Sequence, residues 1–389
     1  MEPKIRFKGF EGEWRNLSIT EIASLKAGKS FNKHDAIDKP TVGYYPCYGG
    51  NGQRGYLPYY NQEGKYNIIG RQGALCGCIN VAEGKFYATE HAVIVTPINV
   101  SDFEFLHESL IRANINQYAT GAAQPGISVT NVNSQLTLNY PIYEEQKAIG
   151  KYFTSLDSQI SASTSRLTSL KQMKAASLQA MFPQEGENVP KIRFKGFEGE
   201  WKKVKLNECL EISKERNING EYGINEVLSV SDEEGVMNQI KLLGRSFAGK
   251  SVTNYKVLRT NQVVYTKSPL KAKPYGIIKV NKGDTGIVSV LYAVYDVKVN
   301  TNPDYIHYYF DPTFRINNYL LPLINKGAKN TMNISDEVSL QGYISLPSLA
   351  EQQAIASYFT SLDRQISLQS QRLEKLKQIK SACLDKMFV

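Results

Sequence analysis

The chain has 389 residues, enough for two or three domains that each bury a core. No apolar run approaches the roughly 18 residues that span a membrane, and the N-terminus lacks the apolar stretch of a signal peptide, so we expect a cytoplasmic protein. Five cysteines without a pairing pattern fit a reducing compartment, and the net charge of +9 favours a polyanionic partner.

One twelve-residue segment occurs twice in identical form, at residues 3–14 and 190–201. Each copy is followed by a body of mixed character and then by a long helical pattern. The first helical pattern opens with Glu145-Gln146, which returns as Glu351-Gln352 in the second. The chain is therefore an internal duplication.

The first body mixes strand and helix signals. Residues 68–69 and 93–95 predict strands, and the helical spacing of apolar residues from 103 to 118 predicts a helix. The sequence Gly-Gly-Asn-Gly at residues 49–52 predicts a turn, because several of its positions need a positive φ.

Seven tyrosines crowd around this turn, and a Gly-Arg-Gln-Gly sequence lies at residues 70–73. Arginine can form two hydrogen bonds to guanine, and an amide side chain can form two to adenine. Clustered tyrosines, however, are also common in cores. The DNA-contact candidates of this body are Tyr48, Asn51, Arg54, Arg71 and Gln72.

A seam of apolar side chains, spaced by alternating steps of four and three, follows from Ile149 to Met181. It predicts a helix that ends before Pro183. About 38 residues at roughly 1.5 Å each give a rod of about 57 Å. The same seam recurs from Ile355 to Met387.

Polar residues interrupt the two seams at equivalent positions. Ser163 and Lys174 do so in the first copy, and Gln369 and Lys380 in the second. A helix docked on its own domain is the simpler alternative, but matched interruptions favour two helices that pack against each other.

The second body repeats the mixture, with strands predicted at 263–265, 277–280 and 287–294 and a helix at 305–321. Between Lys241 and Lys282 it has ten basic residues and no acidic one. Such a window can be a solvated face, but the absence of acids favours phosphate binding. Its DNA-contact candidates are Arg245, Lys250, Lys267, Lys271 and Lys273.

No pattern indicates catalysis or a metal site. Residues 302–305 (Asn-Pro-Asp-Tyr) resemble an amino-methyltransferase loop but lack its second proline, so a helix start is the better interpretation. Cys76 and Cys78 have no second ligand pair at zinc spacing. The four histidines have no evident nucleophile partner.

We predict an α+β fold of two mixed α/β domains joined by a pair of long antiparallel coiled-coil helices, with pseudo-twofold internal duplication. The predicted segments are a first domain at 1–143, a helix at 144–182, a linker and repeated segment at 183–201, a second domain at 202–349 and a helix at 350–389.

Several of these motifs together resemble the specificity subunits of type I restriction–modification systems, over essentially the whole chain. The residues that carry the resemblance are the duplicated Glu-Gln helices, residues 44–52 (Tyr-Tyr-Pro-Cys-Tyr-Gly-Gly-Asn-Gly), residues 69–73 (Ile-Gly-Arg-Gln-Gly) and residues 121–128 (Gly-Ala-Ala-Gln-Pro-Gly-Ile-Ser). The second body departs from the pattern, since it has no Gly-Gly-Asn-Gly turn and has Asn-Thr-Met at 330–332 in place of Gln-Pro-Gly.

The resemblance implies two target-recognition domains, each reading half of a split double-stranded DNA target, and no catalysis by this chain. It implies that the helices are a spacer and a docking surface for two methyltransferase subunits, and that restriction and translocase subunits join them. S-adenosylmethionine, ATP and magnesium would then bind the partners, with no cofactor or metal on this chain. The candidate partner-binding residues are Lys151, Arg166, Lys171, Arg372 and Lys375.

Two other classes remain open. One is a self-contained adenine methyltransferase or nuclease, which methylation by the purified chain alone would reveal. The other is a tandem adaptor, which failure to bind duplex DNA at low salt with partners present would favour.

The restriction interpretation makes two further predictions. Lengthening the 149–181 helix by one turn should change the spacer and leave both half-sites unaltered. Arg71→Ala should degrade one half-site by roughly 1–3 kcal/mol if Arg71 binds guanine.

Overall fold

The computed structural model describes residues 2–73, 75–98, 100–121, 125–249, 251–326 and 332–389. These residues form two compact units. Unit 1 comprises Met1–Ser165 and Gln371–Val389, and unit 2 comprises Arg166–Ser370. Unit 1 therefore includes the last segment of the chain, which the sequence alone assigned to a spacer helix.

Unit 1 is built around a mixed sheet with helices packed on it. Its strands are β1 Arg15–Ser18, β2 Ala23–Ala27, β3 Tyr45–Gly49, β4 Gly52–Leu57, β5 Gln62–Gly70, β6 Ile79–Ala88, β7 Ala92–Pro97, β8 Ala119–Thr120, β9 Gly126–Ile127 and β10 Thr137–Tyr140. Its helices are α1 Ile19–Ile22, α2 Phe103–Arg112, α3 Val129–Gln135 and the first part of α4 Tyr143–Ala180. The strand order of the main sheet is β2-β7-β5-β6-β3-β4, and its neighbours are antiparallel except β3 and β6.

Unit 2 contains a smaller sheet of order β12-β19-β16-β17, antiparallel throughout. Its strands are β11 Lys202–Lys205, β12 Leu210–Ile212, β13 Leu228–Ser231, β14 Gly235–Asn238, β15 Lys256–Leu258, β16 Val263–Thr266, β17 Ile277–Val280, β18 Gly286–Val288, β19 Ala293–Val297, β20 Asn325–Lys326, β21 Met332–Asn333 and β22 Tyr343–Leu346. Its helices are α5 Gln239–Leu243, α6 Pro303–Phe310, α7 Thr313–Leu320 and the first part of α8 Leu349–Met387.

Four strands of each unit follow the same order, so the two bodies share one frame. In unit 1 the core residue Ile69 of β5 pairs with Val93 of β7. In unit 2 the core residue Tyr265 of β16 pairs with Ala293 of β19. β5 and β16 therefore hold the same place in the two sheets, and Arg71 and Lys267 are the residues that directly follow them.

The end of one long helix fills the core of each unit. In unit 1, Phe388 follows α8 and stacks on Phe105 at 5.2 Å, and it meets Trp14 at 6.3 Å. In unit 2, Phe182 follows α4 and meets Trp201 at 6.2 Å and Phe359 at 6.1 Å. Burial of these apolar side chains stabilises each unit.

The two long helices run antiparallel within each unit, which confirms the predicted pairing. In unit 1, Asp157 of α4 bonds Lys380 of α8 at 2.7 Å, and Tyr152 lies 3.4 Å from Cys383. Residue numbers therefore decrease along α8 in the direction in which they increase along α4. In unit 2, Lys174 pairs with Asp363 at 2.9 Å, and Ser177 bonds Tyr358 at 3.0 Å. The two lysines that interrupt the seams thus form the same cross-helix ion pair in both units.

The duplicated Glu-Gln sequences anchor the repeated segments. Arg6 donates to both carboxylate oxygens of the buried Glu145, at 2.8 and 2.7 Å. Arg193 binds Glu351 in the same way, at 2.7 and 2.7 Å. A bidentate pair of this kind fixes orientation as well as position.

The structure corrects two predicted elements of unit 2 and shortens one of unit 1. The predicted helix 305–321 is two helices, α6 and α7, because Pro312 between them cannot continue a helix. The predicted strand 287–294 is divided between β18 and β19. In unit 1, α2 ends at Arg112 and a short 3-10 turn, Ile115–Tyr118, follows. The predicted long helices are observed as α4 and α8, and no described helix is long and apolar enough to cross a membrane.

Candidate nucleic-acid interface

Three segments of unit 1 meet around one open cavity of about 410 Å³. They are the turn between β3 and β4, the loop after β5 and the turn before β7. The lining residues are Gly49, Gly50, Asn51, Arg54, Gln72, Gly73 and His91. The structure therefore brings together three of the predicted contact residues, and it adds His91, which the sequence did not indicate as a DNA contact.

Glycines allow these segments to approach one another. A Cβ on Gly50 would lie 2.5 Å from the carbonyl oxygen of Gln72, and a Cβ on Gly70 would overlap the carbonyl oxygen of Gly50. Gly52 has φ +87°, which side-chain-bearing residues rarely adopt. The glycines that frame the two motifs thus bring the turn and the loop into contact.

The polar side chains at the rim differ in what they contact. Asn51 and Gln72 are exposed, and neither amide group bonds another described residue. Arg54 is also exposed, and its guanidinium lies 5.4 Å from the ring centre of Phe31. The amide groups can donate to and accept from a base edge, and both the amides and the guanidinium can donate to a base edge or a phosphate.

Two other candidates support the site from within the unit. The half-buried Arg71 donates from Nε to the carbonyl of Ile127 at 3.1 Å and from Nη1 to that of Glu90 at 3.3 Å. Tyr48 packs edge-on against Phe86 with ring centres 5.5 Å apart, and burial raises the pKa of its phenol. Both side chains hold the surroundings of the cavity in place.

Most cations of the acid-free window of unit 2 are paired with acids from outside it. Lys256 and Lys267 both bind Asp336, each at 2.6 Å. The buried Lys273 binds Asp232 at 2.6 Å and the carbonyl of Asp311 at 2.9 Å. The other pairs are Lys279 with Asp232 and Asp311, Lys282 with Asp304 and Arg259 with Glu215.

These pairs change the interpretation of the window. Burial alone would raise the pKa of the Asp311 carboxyl. The nearby ammonium groups of Lys279 and Lys174 instead hold that pKa well below its usual range. Lys267 and Lys273 are therefore internal ion-pair members in this structure and not free phosphate contacts. Counting charges along the sequence missed the five acids because they lie outside the window.

Three of the described cations of the window are exposed and also lack an acidic partner. Lys241, Arg245 and Lys271 are exposed, and within the described ranges none of them has an acidic partner. Lys250 lies outside the described residues.

The candidate partner-binding residues all project from the long helices into solvent. Lys151, Arg372 and Lys375 belong to unit 1, and Arg166 and Lys171 belong to unit 2. Lys151 lines an open groove of about 710 Å³ with Lys147, Asp102 and Glu104. Arg166 lines another of about 380 Å³ beside Leu170 and Met173.

The described residues contain no group of three His, Cys, Asp or Glu side chains that could hold a metal ion. Burial lowers the pKa of His307 to about 3 and also lowers that of His107. Residues 302–305 begin α6, since the side chain of Asn302 accepts the N–H of Tyr305 at 3.0 Å. The prediction of a helix start there is confirmed.

Comparison with known proteins gives a consistent picture. The family model described as type I restriction modification DNA specificity domain matches residues 11–172 and 198–378. The chain is 36% identical over 173 residues to the specificity subunit of the type I restriction enzyme EcoprrI of Escherichia coli. That match covers 44% of this chain and 42% of the relative, so the chain matches less than half of that protein's length.

The fold also matches a solved structure. The S subunit of a type I restriction–modification system from M. genitalium aligns over 100% of this chain and 99% of its own, with a TM-score of 0.67. The sequence identity is 13%, so this match concerns the fold alone.

Proposed function

The chain belongs to the family of type I restriction–modification DNA specificity domains, and from this premise we propose that it recognises a DNA target in two half-sites and directs partner subunits to it. Each unit contains most of one of the two matched regions, and each unit would read one half-site. The family consists of DNA-recognition domains, and one of the duplicated Glu-Gln sequences lies in each matched region.

The observation that carries the proposal is the cavity of unit 1. It combines exposed amide groups of Asn51 and Gln72 with the guanidinium of Arg54 on a backbone held together by glycines. Amide and guanidinium groups are the side chains that distinguish purines in the major groove. A concave rim of such groups fits a base-reading surface better than a catalytic centre.

The partners follow from the same proposal. Two methyltransferase subunits would bind S-adenosylmethionine and methylate adenine, and restriction and translocase subunits would use ATP and magnesium. The exposed cations of the long helices, such as Lys151 and Arg372, support a docking role for those helices. The chain itself would carry no cofactor and would work in the cytoplasm.

The test is the pattern of methylated adenines in cells that carry the chain and in cells that lack it. The proposal expects one split motif that disappears with the chain. An unchanged pattern contradicts it. Methylation by the purified chain alone would instead identify a self-contained methyltransferase.

A further inference from the structure

Unit 2 contains a surface element that the shared frame of the two units lacks. The hairpin of β13 and β14 leads into α5, and residues 244–248 follow as a loop. We call these five residues the α5 loop. It contains Arg245, one of the three exposed cations of the acid-free window that have no acidic partner among the described residues.

The α5 loop is held firmly although it lies at the surface. Gln239 of α5 accepts the backbone N–H of Phe247 at 2.6 Å and the hydroxyl of Ser246 at 3.2 Å, and it donates to Ser229 of β13 at 2.9 Å. At the start of the loop, Gly244 has φ +76° and donates to the carbonyl of Ile240 at 2.8 Å. At its end, Ala248 packs on a buried apolar cluster.

This fixed loop presents an aromatic ring to solvent. Phe247 is 59% exposed, and Leu243 at the end of α5 is 51% exposed. The guanidinium of Arg245 lies 4.6 Å from the centre of the Phe247 ring. Single exposed apolar side chains are common on protein surfaces. A ring that is already held in place loses little conformational freedom on binding, so this loop is suited to contact with another molecule.

Charge identifies the molecule that fits. Arg245 lies beside the ring, Lys241 lies on α5, and neither has an acidic partner in the described ranges. Six other cations of the window are paired with acids of unit 2. An apolar ring beside an unpaired cation suits a polyanion that also has apolar base and sugar surfaces. Duplex DNA has that chemistry, since phenylalanine packs on thymine methyl groups or between base steps while arginine binds phosphate.

We propose that the α5 loop is a DNA-contacting element of unit 2, in which Phe247 packs against bases or sugars in a groove and Arg245 binds an adjacent phosphate. This inference rests on the proposed function and assigns the contact to a part of unit 2 that lies outside the four strands shared with unit 1. It gives the second half-site a reading surface of a different kind, apolar and cationic.

The chain offers a matched control for Phe247. Phe314 of unit 2 is 41% exposed and has the guanidinium of Arg315 at 5.2 Å. Arg315 is buried, however, and donates to the backbone carbonyls of Tyr309 and Leu178. Phe314→Ala therefore removes an exposed ring of the same type without a free cation beside it.

The experiment measures binding of the full chain, alone and in complex with its methyltransferase partner, to fluorescent duplexes that carry the methylated motif. Phe247→Ala should weaken binding by roughly fivefold or more, the lower end of what an aromatic ring packed on a base contributes. The loss should fall on one half-site, and Phe314→Ala should stay within about twofold. Arg245→Ala should weaken binding to all duplexes and reduce its salt dependence.

Three results contradict the inference. One is equal binding by the Phe247→Ala and Phe314→Ala proteins. Another is a Phe247→Ala protein that binds DNA normally but loses its methyltransferase partner, which would make the loop a protein-binding surface. A wild-type complex without selectivity for any duplex would overturn the proposed function, and this inference with it.

Discussion

One basic side chain anchors the loop that follows β5 in unit 1, and another anchors the loop that follows β16 in unit 2. Arg71 donates to two backbone carbonyls of unit 1, and Lys267 binds the Asp336 carboxylate of unit 2. Each of these residues directly follows the third strand in the shared order. Each connects the loop after that strand to a segment distant in sequence. We infer that this position anchors the loop after β5 or β16, and that exposed neighbours such as Gln72 read the bases.

This division of roles separates two substitutions in unit 1. Gln72→Ala should relax one half-site and leave stability unchanged, because its amide has no partner among the described residues. Arg71→Ala should relax the same half-site and also lower the free energy of unfolding by about 1–3 kcal/mol, since two hydrogen bonds are lost. Sequencing of methylated sites and urea denaturation measure the two effects. A destabilised Gln72→Ala protein would contradict the assignment.

A buried carboxyl gives unit 1 a pH dependence. Burial raises the pKa of Glu108 to about 7, although Lys380 lies 3.0 Å from it, and one of its oxygens has no partner within the described ranges. A raised pKa means that the folded state favours the protonated form. The stability that this group contributes is complete below its usual pKa of 4.5 and is lost as the pH rises through about 7.

Glu108→Gln should therefore remove a decline in stability between those two pH values. The expected difference between wild type and variant grows to roughly 3 kcal/mol at most by pH 8. Urea denaturation of both proteins at a series of pH values measures it, with the exposed Glu83→Gln as control. Parallel curves for wild type and Glu108→Gln would show that the carboxyl does not titrate in this range.

At the scale of elements, the ends of the long helices are core components. Phe388 is 6% exposed and contacts Trp14, Phe105 and Phe153, and Phe182 has an equivalent place in unit 2. The helix that ends each repeat therefore also completes a core.

Phe388→Ala should lower the stability of unit 1 by about 3–5 kcal/mol, because it leaves a cavity among aromatic rings. Phe182→Ala should do the same to unit 2. Hydrogen exchange should accelerate in the β5–β7 region for the first variant and in β16–β19 for the second. Leu368→Ala, at a position 56% exposed on α8, serves as the control and should change neither.

At the scale of the whole molecule, the proposed function makes the helix pair a spacer between two half-sites. A rod of about 57 Å exceeds one turn of B-DNA, about 34 Å. The pairing found within each unit sharpens how its length should be tested. Cross-helix contacts such as Lys380 with Asp157 and Lys174 with Asp363 require both helices to stay in register.

The insertion of one turn should therefore be made in both helices, between Ser165 and Arg166 and between Ser370 and Gln371, where the two units divide. We expect a methylated motif with a longer spacer and two unchanged half-sites. Insertion in one helix alone should destabilise the chain, because it shifts the paired side chains. Unchanged spacing in the doubly extended protein would refute the spacer role.

The sequence determined the features that depend on local periodicity and on repetition. The seam from Ile149 to Met181 predicted α4, the glycines at 49–52 predicted the turn, and matched lysines at 174 and 380 predicted paired helices. Each of these signals lies in consecutive residues or in two copies of one pattern, so it can be recognised in the sequence without knowledge of the tertiary contacts.

Only the tertiary structure decided which distant groups meet. Asp336 reaches Lys256 and Lys267 across long stretches of chain, and His91 joins Asn51 and Gln72 at one cavity. Such tertiary contacts depend on how strands and loops pack against one another, and no rule of sequence spacing predicts them. For that reason the sequence identified the architecture and the family, whereas the structure separated anchoring residues from those free to contact DNA.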